Sequence, residues 1–264
     1  MNSCMLPVFA SRALRIGALV ALLPCVASAT GRLLQVGTLS SLVAGVYDGS
    51  MPMDTVQRPD AYGLGTFDKL DGEMLVMNGV VYRVGVDGKV NKPALDSEIP
   101  FACVSVMDGV DITEDIGAAA SKAEFQDLIK SKLESLNYPA LIIVDGDFDM
   151  VKTRSVPAQQ KPYPALSEVV ANGQVVFELG AQKGTIVGTY FPAAFAGINA
   201  AGFHFHFMNS ERDAGGHVLD LAIKSGTLRI QTLTSVQLIL PPVDSAFAQS
   251  DLEPTTPVEH VKGE

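Results

Sequence analysis

Three of the four histidines in this 264-residue chain fall within fourteen residues, as His204-Phe205-His206 and, after a short loop, Gly215-Gly216-His217; the fourth is His260. Neutral imidazole is the commonest side-chain ligand for divalent transition metals. Three imidazoles that leave a fourth position open make a catalytic rather than a structural zinc site, and the same set suits iron, nickel or copper. On a strand, residues two apart point to one face. His204 and His206 then project together, while Phe203, Phe205 and Phe207 project to the opposite face, where they suit a core. The loop Asn209–Gly216 carries the glycines that a tight return needs. Simple antiparallel register about it sets His206 opposite His217, with Cβ atoms about 5 Å apart, and His204 diagonal to it at about 7 Å. Phe205 then faces Val218 on the core side. The blander reading is an ordinary hairpin that happens to contain histidines. It weighs less here because three imidazoles share one face and the rest of the chain has almost none. A His₃ metal with open positions holds a substrate through two oxygens as a Lewis acid, or activates water for hydrolysis. Spacing does not choose between these. Asp213 or Glu211 would orient a ligand, or, with Arg212, belong to a solvated charged loop.

The surrounding elements read mostly as strands. Met74–Met77 and Val80–Arg83 flank Asn78-Gly79, a pair that tolerates the positive φ values of a type I′ turn and so marks a hairpin. Before it, Tyr62–Phe67 reads as a turn-rich run. Phe101–Met107 and Leu141–Val144 are apolar strands, and Val151–Val156 alternates. One helix stands out, Ser121 to Leu136. It has a Ser121/Glu124 capping box and an apolar face of Phe125, Leu128, Ile129, Leu133 and Leu136 that packs on the sheet. After a proline-rich crossing at Pro157–Pro164, six strands are expected: 175–179, 185–190, 202–208, 217–223, 227–232 and 236–240. Strands with one strong helix suggest an α+β fold with mostly antiparallel pairing.

The first residues read as a secretory leader. Arg12 and Arg15 form a positive start, Ile16–Val26 is apolar but too short to span a bilayer, and Ala27-Ser28-Ala29 is a small-residue cleavage site. A lipoprotein leader using Cys25 is the alternative, and Pro24 fits it poorly. The chain thus divides into a leader (1–29), an N-terminal α+β half (30–160) and a C-terminal β-rich half (161–264). The last carries the histidines and ends in a polar tail from about residue 241. The expected location is the periplasm or the exterior. Removing two arginines and no acid moves the net charge from −10 to −12. That argues against nucleic acid or an anionic membrane as partner, while one local arginine still suffices for a small anionic substrate. Of three cysteines only Cys103 remains, so no internal disulfide is expected.

The segment Gly202–Asp220 resembles the zinc-binding signature of α-acetolactate decarboxylases. Gly63–Glu73 with Asn78–Tyr82 resembles that family's N-terminal block. Val151–Pro157 with Gln160–Tyr163 resembles its middle block, and Lys183–Gly188, with Pro192-Ala193 and Gly197-Ile198, the part before the histidines. The blocks keep the family's order over roughly residues 40–250. The resemblance implies a mixed α+β sheet, usually a homodimer, and decarboxylation of (S)-2-acetolactate to (R)-acetoin. It implies Zn²⁺ on His204, His206 and His217, and Glu73 and Arg154 as active-site residues. It also implies a glutamate from the tail, Glu264 by distance from the histidines, with Glu259 as the alternative. Two other readings stay open: a His₃ metallohydrolase, and a binding protein with a structural zinc for which Cys103 or His260 supplies a fourth ligand.

Overall fold

The computed structural model describes Met1 and residues 31–252. The leader reading over 1–29 and the assignments of Glu259, Glu264 and His260 therefore fall outside the described residues, apart from Met1. Among the described residues thirteen strands run in chain order as β1 (Gly31–Val36), β2 (Met51–Pro52), β3 (Ala61–Thr66), β4 (Glu73–Met77), β5 (Val80–Val84), β6 (Val90–Asn91), β7 (Glu98–Ile99), β8 (Phe101–Val106), β9 (Ile112–Ile116), β10 (Ala140–Ser155), β11 (Val175–Phe191), β12 (Gly202–Asn209) and β13 (Gly215–Ile239). The α-helices are α1 (Leu39–Val43), α2 (Lys122–Lys130), α3 (Leu166–Gly173) and α4 (Ala246–Gln249).

The main sheet follows the order β10-β11-β12-β13-β1-β8-β3-β4-β5-β6, with β9 on β13, and β10 also pairs with β13. Strand β1 runs parallel to the end of β13, pairing Val36 with Ile239, and the other ladders among the described residues are antiparallel. The fold is thus the expected mixed, mostly antiparallel α+β sheet. Two faces pack together. Leu33, Leu64, Leu75 and Cys103 of the N-terminal strands meet Leu141, Ile143, Val187 and Met208 of β10 to β12. The far face of β10–β13 carries Phe203, Phe205 and Phe207, and Phe125 and Ile129 of α2 cover it.

Several elements differ from expectation. The six C-terminal strands are three, because 175–191 and 215–239 each run on through a glycine that reads as a turn; 141–144 and 151–156 likewise merge into β10. Gly146 pairs with Gly184 on one side and Gly226 on the other, so three glycines stand in one row across three strands. A Cβ on Gly146 would lie 2.6 Å from the Ser225 carbonyl oxygen and 3.1 Å from the Gly226 Cα. The row lets the strands bend at close approach without breaking. Tyr62–Phe67, expected as turns, is largely the fully buried strand β3, whose Gly63 and Gly65 leave room for the β8 backbone.

Helix α2 ends at Lys130 rather than Leu136, which is half exposed. The Ser131 hydroxyl donates to the Leu128 carbonyl at 2.6 Å and competes with another turn. At its start the Ser121 hydroxyl accepts from the Glu124 N–H, but the Glu124 carboxylate accepts from Ala120 N–H rather than from Ser121. The Asn78-Gly79 turn has the expected positive φ at both residues, 50° and 75°. Helices α1 and α3 had no signal strong enough to be read. Among the described residues, no helix is long and apolar enough to cross a membrane.

Candidate metal centre

Strand β12 holds His204 and His206 on one face because Phe203, Phe205 and Phe207 are anchored on the other. Phe205 lies directly across from Gly188 and stacks on Phe203 at 5.4 Å between ring centroids. The predicted register holds, with His206 paired to His217 across the hairpin. Arg154, near the end of β10, stands opposite His217 from the other side, so directly paired residues bring both side chains to one face. Glu73, the first residue of β4, comes from the N-terminal strands, and its Oε2 lies 3.4 Å from His206 Nε2. The chain reaches Glu73 through two bulky residues in the left-handed region, Lys69 at φ 62° and Leu70 at φ 61°. Such conformations cost free energy and persist only where the surroundings impose them. Here the Leu70 side chain is buried, and the Thr66 hydroxyl donates to the Gly72 carbonyl at 2.8 Å, tying the loop to β3.

The three imidazoles converge. His204 Nε2 is 3.1 Å from His206 Nε2 and 3.0 Å from His217 Nδ1, and the three ligand atoms lie within 4.8 Å of one another. A tetrahedral ion about 2.0–2.1 Å from each nitrogen needs them roughly 3.3–3.4 Å apart; the two pairs that include His204 are within a few tenths of an ångström of that, and all three nitrogens are close enough to reach one ion after modest side-chain adjustment. His206 Nδ1 donates to the Met74 carbonyl at 2.8 Å. A carbonyl only accepts, so in the neutral ring Nε2 keeps its lone pair for a metal. Burial is the main reason that His204 is held well below the usual histidine range and that His206 falls to about 4. Arg154 lowers both further, and the Met74 bond partly opposes the shift in His206. Both rings are therefore neutral at neutral pH, as metal ligation requires. Burial also pushes the Glu73 carboxyl up to about 7 against the pull of the Arg154 charge.

These groups line one cavity of about 430 Å³. Its polar side holds the three histidines, Glu73, Arg154 and Gln174, whose side-chain oxygen accepts from Arg154 Nη1 at 3.2 Å. Arg154 Nε is buried without a hydrogen-bond partner. Gln174 and Thr66 were not legible as site residues, because each acts only through a neighbour that folding supplies. The hairpin loop takes no part. Asp213 Oδ1 accepts from Asn209 Nδ2, Arg212 donates to the Tyr82 hydroxyl, and Glu211 is exposed. Cys103 sits in the core and is not among the clustered ligands.

A sequence profile of the family described as alpha-acetolactate decarboxylase matches residues 33–254. A Methanosarcina mazei alpha-acetolactate decarboxylase is 38% identical over 225 residues, covering 85% of this chain and 77% of its own. The Bacillus subtilis strain 168 enzyme is 37% identical over 207 residues, covering 78% and 80%. The crystal structure of alpha-acetolactate decarboxylase from that strain superposes with a TM-score of 0.81 at 35% identity, covering 88% of this chain and 98% of that one. A Staphylococcus aureus protein of unknown function, similar to alpha-acetolactate decarboxylase, gives a TM-score of 0.82 at 27% identity, covering 87% and 98%. With a profile match across most of its length, relatives above 30% identity and the same fold, this chain belongs to the alpha-acetolactate decarboxylase family.

Proposed function

We propose that the chain decarboxylates (S)-2-acetolactate to (R)-acetoin and CO₂, with Zn²⁺ held by His204, His206 and His217. The observation that carries this reading is the convergence of three imidazoles, one guanidinium and one buried carboxyl on a single cavity. When bound, the zinc ion supplies Lewis acidity toward the hydroxyl and ketone oxygens of the substrate. Arg154 binds the substrate anion, a task suited to its planar fork, and its unpartnered Nε–H is an available donor. Gln174 holds that guanidinium in place. As the carbon–carboxylate bond breaks, its electron pair passes to the substrate's own ketone, so no organic electron sink is needed. Glu73 then delivers a proton to the carbon that has lost CO₂, from one side only, which sets the acetoin stereocentre. Its burial pushes the carboxyl toward the protonated form that this step needs.

The tail glutamate, Glu264 or Glu259, is proposed as a further acid at this site. Export through a leader cleaved after Ala29 and a homodimeric assembly are proposed alongside. Mass spectrometry of the secreted protein and light scattering test these two.

The decisive experiment incubates purified protein with racemic acetolactate and follows acetoin by chiral chromatography, before and after removal of metal with a chelator. (R)-Acetoin that disappears on chelation and returns with Zn²⁺ is expected. Absence of metal-dependent acetoin would sink the proposal. His206→Ala retaining full activity and full zinc content would sink the site.

A further inference from the structure

The segment that carries Glu73 stands between two cavities. Leu70 and Glu73 line the one with the histidines, while Asp68, Lys69 and Asp71 line an outer one of about 560 Å³. Lys69 and Leu70 hold left-handed conformations, which relax unless something opposes them. Main-chain bonds hold one flank, from Lys69 N–H to the Tyr47 carbonyl at 2.8 Å and from Gln159 N–H to the Lys69 carbonyl at 2.7 Å. At Asp71, two residues before Glu73, a side chain joins in. Arg83 Nε donates to the Asp71 carbonyl at 2.8 Å, and Arg83 Nη2 donates to the Asp71 carboxylate. These two donors share one edge of a planar guanidinium, so together they fix orientation as well as distance. Glu73 pairs with Val84, and Met74 with Arg83. Strand alternation therefore puts Arg83 on the face of the sheet away from Glu73, where it reaches no substrate. Resting on the proton-donor role proposed above, we infer that Arg83 is a positioning residue, which clamps Asp71 from behind and so aims the Glu73 carboxyl at the carbon that loses CO₂.

A reacting group displaced by about 1 Å costs up to roughly 100-fold in rate. Arg83→Ala is therefore expected to lower kcat for acetolactate by roughly 10–100-fold. KM and zinc affinity should stay within about threefold of the parent, because substrate and metal binding are untouched, and the share of (S)-acetoin should rise. Parental kcat and stereochemistry overturn the inference, and so does a loss confined to KM or to zinc content. Thermal melts establish that the variant folds. Where alanine unfolds the chain, Arg83→Lys takes its place, since it keeps the charge beside Asp71 but loses the planar fork. A second arm needs neither substrate nor metal. Hydrogen exchange of the metal-free variant is expected to quicken by about tenfold or more over residues 67–73, the worth of one charge-assisted bond, while β8 and β10 keep parental protection. Unchanged exchange there overturns the clamp. Lys92→Ala, exposed on the same outer cavity, is the control and keeps parental kcat and exchange. Faster exchange in a protein whose parent form does not turn over acetolactate overturns the proposed function and leaves the clamp standing.

Discussion

Replacing Phe205 by alanine tests whether the metal face is held in place from behind. The Phe205 ring is 2% exposed, its centroid 5.4 Å from Phe203 and 5.5 Å from Phe125 of α2, and it covers Gly188 on the neighbouring strand. Truncating a buried phenylalanine costs about 3–5 kcal/mol, since the surroundings close only part of the cavity. The glycine opposite offers no side chain to fill the space, which argues for the upper half of that range. At about 2–4 °C per kcal/mol for a domain of this size, about 4–5 kcal/mol lowers Tm by roughly 8–20 °C. Circular dichroism of metal-free protein reads this directly. Val175→Ala, at a 40% exposed site on the same sheet, serves as the control and stays within about 0.5 kcal/mol of the parent. Because His204 and His206 flank Phe205, zinc affinity measured with a competing chelator should weaken in the same variant. A Tm loss under about 2 °C, at most about one kcal/mol on this scale, would refute the claim that the phenylalanine row fixes the histidine strand.

Arg154→Lys keeps the charge but loses the fork, and should lower kcat/KM for acetolactate by roughly 10–100-fold, the worth of one or two charge-assisted bonds; steady-state kinetics at fixed zinc decides. Cys103 is fully buried, and burial pushes its thiol up to about 11. It should resist iodoacetamide at pH 8 in the native state and react once unfolded, and labelling of folded protein seen by mass spectrometry would contradict this. Asp48 accepts from Lys161 Nζ at 2.7 Å and from the Tyr163 hydroxyl at 2.9 Å. Burial raises its carboxyl pKa, but these bonds outweigh that and leave it below the ordinary value. A lowered carboxylate pKa stabilises the fold above the unfolded-state value near ~3.9, and that contribution fades as pH falls through the folded-state value. Urea titrations should therefore find Asp48→Asn less stable than the parent at pH 6–7, with the gap closing below about pH 4.

The metal face was readable before folding because it rests on short-range rules. Strand alternation puts His204 beside His206, and a single loop puts His217 opposite, with no knowledge of distant partners needed. The Asn78-Gly79 hairpin was readable for the same reason. The long strands were not, because Gly146, Gly184 and Gly226 look like breaks until neighbouring strands are seen to press against them. Helix α3 hid because only Val169 of its residues is buried, so no continuous apolar stripe marks it. Leu136 misled because an apolar residue in helical phase is not obliged to be buried. Glu73 and Arg154 carried no local mark at all. One opens a strand and the other nearly ends one, some eighty residues apart, and only the resemblance to a known family singled them out.

The parallel pairing of β1 with the end of β13 governs when this protein is able to exist. Residues 31–36 emerge early in synthesis, yet their partner on that side is residues 233–239. Loop closure over the long stretch between these two segments must precede that ladder, which makes it a late and slow event. Until then one edge of β1 stays unpaired, and a ribosome still holding β13 holds an unfinished sheet. The histidine of that same strand, His217, likewise waits. Completion of the sheet and assembly of the metal site are thus tied to the release of one strand, and a chain with that dependence stays open for much of its synthesis.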